Sequence, residues 1–461
     1  MLAERKAQSN QNLTQGSIKQ ALISMTVPMI VGMVMLFTFS LVDTFFVSLL
    51  GSQALAAISF TFPVTFSVMS MAIGLGIGAS AVVGKNLGSN DTELAKQAAT
   101  TINYVSLFLA IALAISLGLA KNSLFKLMGA QSTLFPLIQG YMNVWLPGSI
   151  LIVCLMTGNS ILRACGDTKT PSMLMAGAGF ANAVLDPVLI FGLGPVPALG
   201  IAGAAYATVI AWSISICLLF YHLVYRLKFI TLIPPIKRDF IRSARDMLKI
   251  GVPAAGANMM TPLATGIMTG IAARFGNEAV SAVGVGARLE PLATLIVLAM
   301  SSSLPPIVSQ NFGAGKLDRI ESVYKLAIRF ILGWQLLIYC VLFIVAEPIA
   351  NIFSDEKGVR DTIVIYLSIL PLAYGCQGII ILTNSSLNAM HKPMTALYLS
   401  VARFFVFYVP FAFIGSQLYG LQGFFIGAAG ANLCMAAISF QTFQGVFKAE
   451  GKKTANSKTA P

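Results

Sequence analysis

Charge is scarce in this sequence. Of 461 residues only 10% are Asp, Glu, Lys or Arg, where a soluble chain carries about a quarter. That shortage excludes a soluble enzyme, a nucleic-acid-binding domain and a secreted scaffold. Histidine is nearly absent: His222 and His391 fall near the ends of apolar runs and do not pair. The six cysteines form no CxxC pair, and five lie inside apolar runs, so they read as small buried hydrophobes rather than disulfides or metal ligands. No GxxxxGK[ST] occurs, which removes ATP hydrolysis, and no catalytic set or bound cofactor is expected. Residues 1–20 are polar and the first apolar stretch is too long for a signal-peptide core, so none is expected.

Apolar residues are what the chain has in excess. They make up 56% of it, with 40 glycines and 20 prolines, a usage ordinary in transmembrane helices. The runs exceed the roughly 20 residues a helix needs to span a bilayer. They are too long for the alternating ten-residue strands of an outer-membrane barrel. Twelve spans result, at 21–49, 54–82, 97–120, 133–162, 171–194, 199–225, 249–273, 279–309, 323–346, 362–388, 393–416 and 421–446. The fold expected is an all-α polytopic membrane protein.

Counting Lys and Arg by loop parity puts 23 of 30 with the N-terminus, the even loops and the C-terminus, against five in the odd loops. The positive-inside rule then places both termini in the cytoplasm. The net charge of +13 is therefore an orientation signal, and no nucleic-acid partner is expected. The domains expected are a tail over 1–20, a six-helix lobe over 21–225, a cytoplasmic linker over 226–248, a second six-helix lobe over 249–446 and a tail over 447–461. Within the linker, Lys237–Lys249 mixes charges with Phe240, Ile241 and Met247, as an interfacial amphipathic helix would.

The halves resemble each other at an offset of 225 residues. Pro28 falls on Pro253, Gly51-Ser-Gln-Ala-Leu-Ala-Ala57 on Gly276-Asn-Glu-Ala-Val-Ser-Ala282, and Lys85-Asn-Leu-Gly88 on Gln310-Asn-Phe-Gly313. Gly200-Ile-Ala-Gly203 resembles Gly420-Leu-Gln-Gly423 at a nearby offset. Six spans separate the copies, so both enter the membrane in the same direction. Such a parallel repeat is a transporter architecture.

Five charged residues lie well inside spans: Asp43, Asp186, Arg288, Glu290 and Arg403. Each costs about 2.5–3.5 kcal/mol at the bilayer centre and so marks a function or a buried ion pair. Asp43 and Asp186 have Met268 and Val409 as their second-half counterparts. An acid confined to one copy fits ion coupling better than architecture. At about 1.5 Å per residue both acids reach the outer half of the membrane, where they could share a cavity. Asn182, four residues before Asp186, shares its helix face. An acid that loads a proton outside and releases it inside couples the gradient to transport. Pro28 frees the carbonyl of Ser24 and makes the first span a hinge candidate. Met29, Leu36, Phe39 and Ser40 share the Asp43 face and suit a cavity that repacks around apolar cargo. Glu290 is expected to pair with Arg403, with cation binding as a second coupling site the alternative, and Arg288, two residues away, does not face it.

Pro28 and Asp43 on the first span, Asn182-xxx-Asp186-Pro187 on the fifth, and the twelve spans in two repeats together resemble the multidrug and toxic compound extrusion (MATE) transporters. The nearest likeness is to the prokaryotic branch named after the DNA-damage-inducible F protein. The resemblance covers residues 15–448. It implies two six-helix lobes in a bacterial or archaeal inner membrane, exporting amphipathic, often cationic drugs or dyes by alternating access in exchange for protons. It implies Asp43 and Asp186 as proton-coupling residues, Asn182, Tyr141 and Thr208 as their polar network, and bending at Pro28. It implies a monomer that confers drug resistance, driven by a proton gradient. Sodium held by Asp43, Asn182 and Asp186, or flipping of a lipid-linked precursor, stand as alternatives.

Overall fold

The computed structural model describes residues 12–231, 233 and 235–459. The tail expected over 1–20 lies outside the described residues up to residue 11. Helices dominate throughout, and the one β-bridge among the described residues joins Leu193 to Val196 in a loop.

The chain divides into two compact units, one formed by Ser24–Ala255 and the other by Thr14–Ile23 with residues from Gly256 onward. The first unit carries α1 (Ile18–Ser48) from Ser24 onward, α2 (Ser52–Gly88), α3 (Thr92–Leu127), α4 (Phe135–Ala164), α5 (Lys169–Phe191), α6 (Ile201–Tyr221) and the opening of α7 (Lys237–Ala272). These helices start and stop where the local chemistry dictates. The Asp91 carboxylate accepts from the Leu94 N–H at 2.9 Å and caps α3, supplying one of the orphan donors of its first turn. Inside, Val68, Leu75, Ile102, Ile138 and Met142 are fully buried. Gly32 of α1 lets that helix approach Ser172 of α5, where an added Cβ would lie 3.0 Å from the Ser172 Cα.

The segment Lys237–Lys249, expected as a separate interfacial helix, instead continues without a break into the seventh span. Met247 is fully buried, so this helix is anchored by packing rather than lying free.

The second unit contains α8 (Asn277–Ala293), α9 (Leu295–Gly313), α10 (Leu317–Ile344), α11 (Ala346–Phe353), α12 (Lys357–Ile369), α13 (Tyr374–Ala389), α14 (Pro393–Val401) and α15 (Val409–Thr459). A 3-10 turn over Leu370–Ala373 separates α12 from α13, and a π-helical stretch over Ala402–Tyr408 separates α14 from α15. Within α15 the backbone leaves the helical region at Tyr419 (φ −132°) and Gly420 (φ 60°). There the helix folds back: an added Cβ on Gly415 or Gly423 would meet the other's carbonyl. Lys316 donates to the Thr14 carbonyl at 2.9 Å, and Arg319 donates to the carbonyls of Gly16 at 3.0 Å and Gln15 at 3.3 Å.

Ten helical segments are long and apolar enough to cross a membrane. The stretch 393–452 contains the turn at Gly420 and so makes two passes. The α7 span falls outside the ten because Gly, Pro, Thr and Asn dilute its hydropathy, and with it the described passes come to twelve. The repeat is visible in the backbone as well. Gly51 (φ 99°, ψ 172°) and Gly276 (φ 95°, ψ 177°) open α2 and α8 identically. Gly166 (φ 85°) and His391 (φ 59°), 225 residues apart, turn the chain in the left-handed region.

Candidate functional site

The site in the first unit is built by α1, α5 and α6. Asp186 on α5 is fully buried, and its carboxyl lies within hydrogen-bonding reach of Asp43 on α1. Asn182, one turn before Asp186, donates from Nδ2 to Asp186 Oδ1 at 3.2 Å and approaches Thr208 Oγ1 on α6 at 3.3 Å. The Thr208 hydroxyl donates to the Ala204 carbonyl at 3.0 Å, which leaves its oxygen as the acceptor for Asn182. Tyr141 on α4 lies close enough to feel both carboxyls, yet no hydrogen bond joins it to either among the described residues. The five residues expected to cooperate are thus gathered in one place.

Two oxygens of this cluster are unsatisfied. Asp43 Oδ1 and Asp186 Oδ2 are buried without a donor. Among the described residues no Lys, Arg or His stands within ion-pair distance of either carboxyl. Buried polar atoms are almost always bonded, and two carboxylates side by side repel. One proton held between the two carboxyls would remove both difficulties.

Pro28 lies in the first turns of α1, which runs unbroken from Ile18 to Ser48. The Thr168 hydroxyl donates to the Ser24 carbonyl at 3.4 Å. A side chain from the loop before α5 therefore satisfies the acceptor that the proline releases. Sequence reasoning missed Thr168, whose distance along the chain hides the contact.

The cavity residues separate into two sets. Met29 is only 2% exposed, and its sulfur accepts from the Ser172 hydroxyl at 3.6 Å. It fills the contact between α1 and α5 and is not free to line a cavity. Phe39 lies over Gly179 and meets the Phe180 ring edge-on at 6.4 Å. Leu36 is 41% exposed and Ser40 is exposed, so these two remain available to a ligand.

In the second unit the expected ion pair between Glu290 and Arg403 does not form. Glu290 Oε1 accepts from Gln377 Nε2 at 2.6 Å. Arg403 donates from Nε to Asn432 Oδ1 at 3.2 Å, and its guanidinium sits 4.8 Å from the Phe404 ring centre. Arg288 is exposed and belongs to neither contact. The amide of Gln377 holds the carboxylate, so each charge has a neutral partner. Gln377 and Asn432 carry no charge, and no spacing rule would have singled them out.

Helices of membrane-crossing length in a duplicated pattern, with a carboxyl pair inside the membrane-spanning part, define a membrane transporter. The chain belongs to the MatE family: that family's profile matches residues 28–188 and 253–414. The family consists of membrane transporters of small molecules and not of enzymes. The chain is 38% identical to the FAD transporter of Shewanella oneidensis, over 96% of this chain and 98% of that one. It is 26% identical to the probable multidrug resistance protein YpnP of Bacillus subtilis, over 93% and 95% of the two chains. Among solved structures it resembles the Vibrio cholerae MATE transporter VcmN in its bent form, with a TM-score of 0.90 and 33% identity over 96% of this chain and 99% of that one.

Proposed function

We propose that this chain is a proton-coupled exporter of the prokaryotic cytoplasmic membrane. The cargo is a flavin nucleotide or a compound of similar aromatic, anionic character. The observation that carries the coupling is the pair of buried, unsatisfied oxygens on Asp43 and Asp186. In this reading Asp43 and Asp186 hold one proton between them, Asn182 and Thr208 orient the pair, and Pro28 is where α1 bends. Protonation from outside and release inside, out of step with cargo binding, gives exchange by alternating access. Both termini are cytoplasmic and the working unit is a monomer. The motif of Pro28, Asp43, Asn182 and Asp186 supports placement in the branch named after the DNA-damage-inducible F protein.

The cargo assignment draws on similarity to the Shewanella FAD transporter, which exceeds that to multidrug proteins by 38% to 26%. Export of amphipathic, often cationic drugs is the second reading, favoured by the exposed Leu36 on the Asp43 face of α1 and by the names of the more distant relatives. Sodium coupling uses the same oxygens, and a lipid-precursor flippase the same fold.

The test is transport in proteoliposomes under an imposed pH jump, with and without sodium, offering FAD and a cationic dye in parallel. Wild type should move FAD on the proton gradient alone. Asp43→Asn should fall to the background of empty vesicles while reaching the membrane normally. Retained proton-driven export by that variant would overturn the coupling assignment, and movement of the dye without FAD would overturn the cargo assignment.

A further inference from the structure

Arg403 is an expensive residue that no acid contacts directly among the described residues. It lies ten residues from the start of α14, about 15 Å along the helix and so near the middle of a hydrocarbon layer about 30 Å thick. Charged side chains at that depth face the protein interior or a water-filled cavity and mark a pathway or site. Of its five N–H donors, only Nε–H has a protein acceptor among the described residues, the Asn432 amide at 3.2 Å. Glu290 and Tyr408 are the titratable groups near enough to act on it. Glu290 Oε1 is held by Gln377, and no hydrogen bond joins Glu290 to the guanidinium, whose outer fork is left without a protein acceptor among the described residues.

The backbone is irregular at Arg403 itself and in two further spans of the same unit. Arg403 sits in the π-helical stretch Ala402–Tyr408, and such stretches concentrate at functional sites. The span bearing Glu290 breaks at Thr294 (φ −97°, ψ 10°), between α8 and α9. The span bearing Tyr366, Tyr374 and Gln377 breaks at the 3-10 turn Leu370–Ala373. Irregular backbone at membrane depth is tolerated where it is buried in protein or lines a cavity. The side chains gathered there are aromatic: Phe404 under the guanidinium, Tyr408 edge-on to Phe404 at 6.3 Å, and the Tyr366 and Tyr374 hydroxyls 3.4 Å apart.

We infer that Arg403 is the anion-recognition residue of a cargo site within the second unit, receiving the phosphate groups of an aromatic nucleotide. The outer fork of the guanidinium matches two phosphate oxygens, the geometry in which arginine surpasses lysine. Tyr408, the one partly buried ring of this group, offers a face to the flavin or adenine, while Phe404, Tyr366 and Tyr374 are buried. Gln377 keeps Glu290 from occupying the fork. A lipid headgroup carries the same phosphate, but it sits at the bilayer surface rather than at the depth of Arg403. The inference rests on the aromatic, anionic cargo proposed above.

The test is equilibrium binding to the full chain in detergent freed of phospholipid, read by flavin fluorescence, comparing FAD with riboflavin, which has the same ring and no phosphate. Wild type should bind FAD more tightly. Arg403→Gln should weaken FAD by about 10–100-fold, the range for a lost hydrogen bond to a charged group, and leave riboflavin within about twofold. An unchanged ratio of FAD to riboflavin affinity in that variant would overturn the inference while leaving the cargo reading in place. A wild type that binds neither flavin fails the cargo reading, and the inference goes with it. Should Arg403→Gln not fold, competition on wild type decides. Inorganic pyrophosphate should displace FAD and leave riboflavin bound; failure to displace FAD would overturn the inference.

Discussion

In the first unit α2, α4 and α5 each run unbroken, whereas the spans 225 residues later are each interrupted, at Thr294, at Leu370–Ala373 and at Ala402–Tyr408. The charges differ in parallel. The unbroken unit holds two acids with no base beside them, and the interrupted unit holds Arg403 and Glu290, each on an uncharged partner. One ancestral pattern has thus produced two kinds of intramembrane polar site. Acids on regular helices need only a proton to become neutral. A permanently charged arginine cannot do that, and the backbone around it departs from the α-helix.

The largest effect expected from disturbing this contrast is at the acids. Asp186→Asn should lower proton-driven transport at least as far as about tenfold below wild type, since the proton proposed to lie between the acids loses one of its two carboxyls. Adding Met268→Asp and Val409→Asp to Asp43→Asn should restore nothing. Those positions sit in a differently built unit, and Met268 is 5% exposed within an apolar cluster. Flux in proteoliposomes reads both, and recovery of transport would show the two units to be interchangeable.

Next comes the helix break at Thr294. Gln335 Nε2 donates to the Ala293 carbonyl at 3.1 Å, satisfying an acceptor that the break leaves open. Gln335→Leu should cost about 1–2 kcal/mol, seen as a Tm lower by a few degrees in a thermal melt in detergent. The first unit has no such break in α2, so Thr65→Val, the counterpart of Glu290 there, should leave the Tm within about a degree.

The smallest effect belongs to the hinge. Thr168→Val removes the hydroxyl that reaches Ser24 at 3.4 Å, a long bond worth about 0.6 kcal/mol in a membrane protein. Stability should barely change. Transport rate should change more than stability, because this contact lies where α1 is proposed to bend. Equal small changes in both would mark Thr168 as a packing residue.

Much of this architecture was legible beforehand. Span lengths, the repeat and the Gly51–Gly276 pairing follow from hydropathy and from turns that only glycine adopts easily. The clustering of Asp43, Asn182 and Asp186 followed from depth and helix periodicity, since α1 and α5 both place their acids by a fixed rise per residue. What escaped were partners joined only in space. Glu290 was expected to meet Arg403 because opposite charges attract, but a neutral amide from α13 lies closer. The helix face of Met29 points to a cavity residue. Gly32 on its own helix and Ser172 on α5 bring the two helices close enough to bury it, a contact that the α1 face alone does not show.

The fold-back at Gly420 bears on how this chain is made. With Gly415 and Gly423 backbone against backbone, the last two passes fit together as a ready-made pair that a ribosome-bound insertion machine could release into the bilayer in one step. A bulkier residue at either glycine would be expected to surface first as a quality-control defect, with the protein degraded before any cargo is offered to it. Low abundance in such a variant should therefore be read as an assembly failure, and the transport cycle judged only on molecules that reach the membrane.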